Sequence, residues 1–280
     1  MQVAVIGMGL IGGSAALDLK RSGFADSVTG VGHKPANIAE ALRLGLADRM
    51  TSMEEAVEDA DLVILAVPVN VAIDFLPRVL DRVNDRQTVT DMCSTKRTLM
   101  ACVERHPRRA RFVGSHPMAG TEYSGPLAAL AGLFRGKIGI LCDTEKSAPD
   151  AVAQVEAMYG ALGMKLVRMD AARHDLHTAY VSHLSHAVSY ALALTVLDKE
   201  KDERQIFNLA GGGFASTARL AKSGASMWTP IFLNNADRMI EALDAYRAHL
   251  SALRDAIARQ DAAAIDSLIG RANDIRRILG

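Results

Sequence analysis

The chain has 280 residues, and its 32 lysines and arginines balance its 32 aspartates and glutamates. This neutral balance gives no general attraction to nucleic acid or to an anionic membrane surface, so neither partner is predicted. Hydrophobic residues make up 49% of the sequence, but no apolar run reaches the roughly 20 residues that a membrane span needs. The length allows two domains, each with its own core.

The N-terminus begins with a strand pattern and not with a basic segment and a long apolar run, so no secretory signal is expected. The three cysteines, Cys93, Cys102 and Cys142, fit no metal-ligand spacing, and their odd number argues against a disulfide framework. The expectations are a cytoplasmic protein and no bound metal.

The first motif is a glycine-rich loop between an apolar strand, residues 1–6, and an apolar helix. Gly7, Gly9 and Gly12 have the Gly-x-Gly-x-x-Gly spacing, in the strand–loop–helix context typical of dinucleotide binding. Gly7 allows the tight turn, Gly9 lets the backbone approach a pyrophosphate, and Gly12 lets the helix pack closely on the strand. The helix N-terminus favours phosphate. The residues predicted to contact the cofactor here are Gly7, Met8, Gly9, Leu10, Ile11 and Gly12.

The second predicted strand, residues 27–32, ends without the acidic residue that usually binds the adenosine ribose of NAD. His33 and Lys34 follow it instead, and basic residues there accommodate the 2′-phosphate of NADP. The alternative is that both are solvated turn residues and that either cofactor is accepted. The sequence therefore favours NADP over NAD. Val67 and Pro68, where a buried strand ends, are predicted to line the same crevice.

Strands alternate with helices up to about residue 170, which is the pattern of a doubly wound parallel sheet. The remaining segments of this part are predicted helices over 37–46, 71–83 and 151–162 and predicted strands over 88–91, 137–142 and 164–168. From residue 171 the periodicity is helical. The predicted fold is α/β, with a Rossmann-type dinucleotide-binding domain over 1–170 followed by an all-helical domain over 171–280. A helix over 230–258 carries an apolar stripe long enough to pack against a second subunit.

Two polar residues follow predicted strands, at the edge of an open α/β sheet where ligands bind. Ser94 follows the strand over 88–91, and His116 follows a short apolar run over 111–113. Ser94 can cap a helix that begins near Lys96, and it can also orient a neighbouring imidazole. A histidine at this edge can reach a substrate, although a histidine before proline also fits a capped loop.

The helical part contributes His183 and His186, which share one face of a helix because they are three residues apart. No carboxylate or cysteine has a matching spacing, which argues against zinc. A cofactor loop followed by polar residues in a helical domain predicts a dehydrogenase with its substrate between the two domains. Several dehydrogenase families share this plan, so the plan alone does not choose among them.

Three further motifs distinguish among these dehydrogenase families. They are residues 114–122 (Gly-Ser-His-Pro-Met-Ala-Gly-Thr-Glu), 182–186 (Ser-His-Leu-Ser-His) and 214–221 (Phe-Ala-Ser-Thr-Ala-Arg-Leu-Ala), followed by Trp228 and Asn234. Together they resemble the signatures of the prephenate and arogenate (cyclohexadienyl) dehydrogenases, the TyrA type, over essentially the whole chain. Ser185 departs from the proline that is common in the family, and Ala215-Ser216 replaces a more usual Arg-Asp pair.

The resemblance implies oxidative decarboxylation of prephenate or arogenate with hydride transfer to NAD or NADP, in tyrosine biosynthesis. It implies that His116 accepts the proton of the substrate 4-hydroxyl, that Ser94 holds His116 in orientation, and that Arg219 binds a substrate carboxylate. It also implies a homodimer through the C-terminal helices, with Trp228 approaching the neighbouring subunit's site. The other substrate-binding residues that it implies are Thr121, Glu122, which would pair with Arg219, His183 and His186.

Structural roles are the alternatives for these residues: a surface ion pair for Arg219, core positions for His183 and His186, and a core or interface anchor for Trp228. Two other functions are also considered. One is a dehydrogenase of the same plan that acts on a 3-hydroxy acid. The other is a catalytically silent NADP-binding protein, which would be expected to lose Ser94, His116 or Arg219 first. Prephenate and arogenate both stay open as substrates.

Overall fold

The computed structural model describes residues 1–203 and 205–279. Within them the chain forms two compact units, Met1–Asn235 and a second that begins at Ala236. The strands of the larger unit are β1 (Gln2–Ile6), β2 (Ser27–Val31), β3 (Arg49–Thr51), β4 (Leu62–Leu65), β5 (Thr88–Asp91), β6 (Phe112–Pro117), β7 (Ile138–Cys142) and β8 (Lys165–Met169). Its helices are α1 (Leu10–Arg21), α2 (Pro35–Arg43), α3 (Met53–Glu58), α4 (Val69–Arg82), α5 (Arg97–Ala101), α6 (Pro149–Ala161), α7 (Ala171–Thr178), α8 (Leu184–Asp202), α9 (Gly212–Ala218) and α10 (Ala225–Asn234).

The strands form one sheet in the order β3-β2-β1-β4-β5-β6-β7-β8. Every pairing is parallel except that of β6 with β7. The run from β3 to β6 is the Rossmann order, whose ligand crevice lies where the order reverses, between β1 and β4. The predicted α/β class, with a helical C-terminal part, is therefore confirmed.

The core lies on both faces of this sheet. Successive residues of a strand point to opposite faces, so Val3 and Val5 of β1 enter one buried cluster with residues of α1 and α6. Ala4 and Ile6 enter the other, with residues of α3 and α4. Burial on both faces explains why β1 and β4 are apolar throughout. Their carboxyl ends are consequently held rigidly beside the glycine-rich loop.

His116 lies on a strand, and the prediction that it follows one is wrong. β6 pairs with β5 only at Phe112 and Val113, where the apolar run also ends. Beyond that point it pairs with the antiparallel β7, from Gly114 opposite Cys142 to Pro117 opposite Gly139. The extra pairing extends the strand through the polar residues, which a hydrophobic pattern does not reveal.

The helical part of the larger unit begins with α7, and a π-helical turn over Ala179–His183 joins it to α8. The predicted helix over 230–258 is two helices, because Asn235 leaves the helical conformation at φ −127° and ψ 32°. The buried Asn235 side chain bonds to other segments of the larger unit. The second unit contains α11 (Ala236–Ala258), α12 (Ala262–Ala272) and α13 (Arg276–Leu279). In the described part of the chain, no helix has the length and apolar character of a membrane span.

Candidate active site

The glycine-rich loop places different demands on its three glycines. Gly7 has a φ of +103°, and a Cβ there would lie 2.4 Å from the Ala66 carbonyl oxygen. A Cβ on Gly12 would lie 2.0 Å from the carbonyl oxygen of Gly7. Beside Gly9, in contrast, there is no heavy atom within 4 Å among the described residues. Contacts inside the protein thus require Gly7 and Gly12, whereas the space beside Gly9 is open to a ligand.

The first turn of α1 offers its N–H groups to an anion. Gly9 is the N-cap and supplies no capping side chain, and the turn contains no acidic residue. Met8 and Leu10 are buried, so their side chains belong to the core and only their backbone is available to a cofactor. Unpaired N–H groups and the helix dipole favour a phosphate here. The loop therefore fits a dinucleotide pyrophosphate.

The other residues predicted for the cofactor lie at the ends of β2 and β4. His33 and Lys34 are exposed, and Lys34 is the N-cap residue of α2 without a side-chain cap bond. Val67 is half-buried, and its carbonyl accepts a hydrogen bond from the Cys93 thiol at 3.5 Å. Pro68 is exposed at the N-cap of α4. The end of β4 borders the β1–β4 crevice, and the end of β2 lies on the other side of β1.

A chain of buried polar groups begins at His116. Its Nδ1 atom lies 2.8 Å from Nε2 of His174, and the other nitrogen of His174, Nδ1, lies 2.8 Å from Oδ1 of Asp175. His174 and Asp175 are fully buried, and His116 keeps 7% of its surface exposed. His174 and Asp175 carry no signal in the sequence that assigns them a role. They are adjacent in the sequence, but only the fold places them beside His116.

Asp175 also joins α7 to the segment that follows β5. Its Oδ1 accepts a hydrogen bond from the Lys96 backbone N–H at 2.7 Å, and its Oδ2 accepts one from the Arg97 N–H at 2.9 Å. The amide of Asn235 donates to the Asp175 carbonyl at 2.7 Å. Asp175 is thereby held by the segment after β5 through its side chain and by Asn235 through its backbone carbonyl.

Ser94 has a different environment from the one expected. The N-cap of α5 is Lys96, without a side-chain cap bond, so the prediction that Ser94 caps this helix is wrong. The Ser94 hydroxyl makes no hydrogen bond within residues 1–203 and 205–279, and the partner of His116 is His174. Half-buried at the end of β5, Ser94 keeps a free hydroxyl.

Burial determines the protonation of the site. It lowers the pKa of His116 well below the ordinary histidine value, and the nearby His174 and Lys96 act in the same direction. Burial likewise lowers the pKa of His174. Burial alone would raise the pKa of Asp175, but hydrogen bonds from His174 and from the backbone outweigh this effect, so the pKa of Asp175 is lowered. At neutral pH both imidazoles are therefore neutral and the carboxylate is charged.

A buried ion pair lies next to these groups. The Lys96 ammonium pairs with Oδ2 of Asp91, and both side chains are fully buried. Oδ1 of Asp91 accepts the Ser115 N–H at 2.9 Å, immediately before His116. A buried charge is tolerated when it is paired and hydrogen-bonded, and this pair ties the end of β5 to β6.

Three aromatic side chains of the helical part lie together. His186 stacks on Trp228 with ring centroids 3.5 Å apart, and His183 meets the edge of the same indole at 5.9 Å. His183 is fully buried and Trp228 is 7% exposed. Burial lowers the pKa of His183 to about 4. Trp228 is thus packed within its own chain, and the two histidines share a face as predicted.

Arg219 forms an ion pair with Glu122 across 3.0 Å. The Arg219 side chain is half exposed, whereas that of Glu122 is 15% exposed. Thr121, next in the same loop, accepts the Tyr123 N–H at 3.3 Å. The pair connects the loop after β6 to the helical part and leaves guanidinium N–H groups open to a second carboxylate.

The chain matches two family models in succession. Residues 15–168 match the nucleotide-binding domain of prephenate dehydrogenase, and residues 170–270 match its dimerization domain. The chain belongs to the prephenate dehydrogenase family.

Relatives within the prephenate dehydrogenase family match along most of the chain. The cyclohexadienyl dehydrogenase of Zymomonas mobilis is 33% identical over 92% of this chain and 89% of its own length. The prephenate dehydrogenase of Bacillus subtilis is 30% identical over 98% of this chain and 75% of its own length. The Aquifex aeolicus prephenate dehydrogenase, solved with hydroxyphenyl propionate and NAD+, has a TM-score of 0.90 at 33% identity and covers 100% of this chain and 98% of its own. The family assignment decides against a 3-hydroxy acid dehydrogenase.

Proposed function

We propose that the chain catalyses the oxidative decarboxylation of prephenate or arogenate, forming 4-hydroxyphenylpyruvate or tyrosine. The C4 hydrogen of the substrate leaves as hydride and the 4-hydroxyl loses its proton, which forms a C=O bond at C4. The bond between C1 and the carboxylate then breaks, its electron pair makes the ring aromatic, and the oxygen on C4 takes a proton back as CO2 leaves. A bound nicotinamide cofactor supplies the hydride acceptor. The observation that carries the proposal is a buried, neutral His116 at the end of β6, in a chain that belongs to this family.

His116 is the proposed proton acceptor. Its Nδ1 is occupied by His174, and Nε2 has no protein partner within the described residues. A neutral imidazole with a free nitrogen can accept the hydroxyl proton while hydride leaves the same carbon. Ser94, with its unpaired hydroxyl, is proposed as a second polar contact in the same site.

Arg219 is the proposed ligand of a substrate carboxylate. Its planar guanidinium is already paired with Glu122, and its exposed N–H groups suit a bidentate carboxylate. Thr121 and Glu122 are proposed to line the entrance. The remaining substrate-binding residues of the proposal are His183, His186 and Trp228.

NADP is the proposed cofactor, with NAD as the alternative. His33 and Lys34 are exposed where the second strand ends, and no acidic residue occupies the position that would bind a ribose 2′-hydroxyl. A basic side chain there stabilises the additional phosphate of NADP through charge.

The proposed domain boundary lies at residue 170, between a dinucleotide-binding part over 1–170 and a helical part over 171–280. The match of residues 170–270 to a dimerization domain supports a homodimer through these helices. On α11, Ile240 and Leu250 are 60% and 53% exposed, which is consistent with a subunit contact. The three free cysteines favour a reducing compartment, and we propose the cytoplasm.

The test is the initial rate of cofactor reduction with prephenate or arogenate, each with NAD or NADP. We expect turnover with at least one pairing and loss of most of the rate in His116→Ala, with cofactor affinity retained. If the folded protein binds cofactor but turns over none of the four pairings, the proposed function is wrong and a silent cofactor-binding protein takes its place.

A further inference from the structure

The geometry points to His174 and Asp175 as positioning residues that hold His116 in the tautomer protonated on Nδ1, so that Nε2 is the proton acceptor. Neither residue reaches the reacting atoms, and both act through His116. This inference rests on the proposed function for its catalytic meaning. The tautomer itself follows from the hydrogen bonds alone.

Asp175 determines the direction of the first hydrogen bond, because an ionised carboxylate can only accept hydrogen bonds. Its two oxygens receive the backbone N–H groups of Lys96 and Arg97. Those bonds favour the charged form of the carboxylate. The contact at 2.8 Å between Oδ1 and Nδ1 of His174 therefore requires the proton to be on that nitrogen.

The proton on Nδ1 determines the other nitrogen of His174. Because a neutral imidazole has one N–H and one acceptor nitrogen, Nε2 of His174 carries a lone pair. It lies 2.8 Å from Nδ1 of His116, which must then be the donor. Nε2 of His116 is left with a lone pair, and this is the nitrogen without a protein partner.

The same chain stabilises His116 after it has taken a proton. The hydroxyl proton binds Nε2, and the electron pair of the O–H bond becomes part of the C=O bond as hydride leaves C4. The resulting imidazolium still donates from Nδ1 to His174, whose Nδ1–H points to the Asp175 carboxylate. No proton has to move along the chain, and the negative charge of Asp175 offsets the new positive charge, as in the Ser-His-Asp arrangement of hydrolases.

The other charged or titratable groups around His116, His174 and Asp175 are Lys96, Asp91, His183 and Arg97, whose Nε lies 3.4 Å from Oδ2 of Asp175. Lys96 and Asp91 are paired with each other, and His183 is neutral because burial lowers its pKa to about 4. Asp175 is therefore the anion bonded directly to the imidazole chain.

The first test is the tautomer, measured by long-range ¹H–¹⁵N correlation on protein labelled with ¹⁵N-histidine, with signals assigned through His116→Ala and His174→Gln. We expect both His116 and His174 to be protonated on Nδ1 at pH 7.5. Protonation of either ring on Nε2 would overturn the inference. This measurement needs no substrate, so it stands even if the proposed function fails.

The second test is Asp175→Asn, compared with Asp170→Asn in the same segment. The new amide can present N–H to His174 and reverse the tautomer of both rings, and removal of the comparable aspartate in a hydrolase triad lowers kcat by about 10⁴. We expect kcat to fall by about 10²- to 10⁴-fold with KM and cofactor affinity within about twofold. Asp170 caps α7 through the Arg173 N–H, and asparagine caps equally well. Its other contact is an exposed ion pair with the Arg173 side chain at 3.5 Å, which contributes little to stability. Equal kcat in the two variants would overturn the inference.

A pair of substitutions at His174 separates positioning from folding. In His174→Gln the amide oxygen can accept the Nδ1–H of His116, whereas His174→Met has no such acceptor. We expect the glutamine variant to retain at least tenfold more kcat than the methionine variant, with similar thermal stability. Equal kcat in the two variants would assign His174 a packing role only. If the wild type is inactive with all four substrate pairings while both rings are protonated on Nδ1, the proposed function fails and the tautomer assignment stands.

Discussion

Alanine at Gly12 and alanine at Gly9 should have opposite consequences, although the two residues lie three positions apart. A Cβ at Gly12 would be 2.0 Å from the Gly7 carbonyl oxygen and 2.9 Å from Cγ1 of Val5. The first obstacle is backbone, which cannot rotate away. Overpacking costs about 1–3 kcal/mol, and this site belongs at the upper end. Taking about 3 kcal/mol and about 2–4 °C per kcal/mol for a chain of this size, Tm should fall by roughly 6–12 °C.

Gly9→Ala should leave the fold intact and impair cofactor binding. No described heavy atom lies within 4 Å of its added Cβ, and its φ of −86° suits alanine. Only the weaker N-cap preference of alanine remains, below about 1 kcal/mol. A methyl group facing the pyrophosphate should raise the cofactor Kd at least tenfold, which is about 1.4 kcal/mol. Thermal unfolding followed by circular dichroism gives the first quantity, and titration of reduced cofactor fluorescence gives the second. Equal loss of Tm in the two variants, or unchanged affinity in Gly9→Ala, would refute the role of the loop.

Two further predictions concern buried charge. Lys96→Met should lower the free energy of unfolding in urea by about 3–5 kcal/mol, because it leaves Asp91 buried without its cation. The control Lys146→Met breaks an exposed pair with Glu104 and should lower it by less than about 1 kcal/mol. Similar losses in the two variants would contradict this prediction. The second concerns His183, whose buried, neutral form has a pKa of about 4, below the unfolded value of about 6.5. Its contribution to stability is fully present above about pH 6.5 and is lost as the pH falls towards 4. Urea unfolding at pH 7 and pH 5 should therefore show a smaller loss for a His183→Gln variant than for the wild type, and an equal loss would be evidence against a neutral His183.

Regular burial made most of the sheet predictable from the sequence. The predicted strand over 88–91 agrees with β5, and the apolar residues of β4 give a clear pattern, because both strands are covered on both faces. β3 was not predicted, since its Arg49-Met50-Thr51 sequence is short and lies at the sheet edge. The length of β6 depends on a partner that arrives later in the chain, so a local pattern could not show it.

The glycine-rich loop could be predicted from the sequence, whereas the contacts among the other candidate site residues could not. Gly7, Gly9 and Gly12 carry a local signature, since turn, ligand approach and packing all act within a few residues. The contact between His116 and His174 spans 58 positions, and no spacing rule connects them. Asn235 was missed for a related reason: its helical sequence neighbours hide a break that depends on bonds to Asp175 and Arg97.

Because β7 runs antiparallel to β6, His116 lies on a paired strand, whereas the segment between the two strands lies outside the sheet. His116 is paired with Ile140 in the ladder, so the proposed proton acceptor is held by a sheet and not by a loop. Residues 118–137 connect the two antiparallel strands β6 and β7, as the loop of a β-hairpin does. Insertions, deletions or substitutions in residues 118–137 can therefore change what reaches the site while the histidine stays where it is. Substitutions in residues 118–137 are therefore a route to altered substrate preference that leaves the position of His116 unchanged.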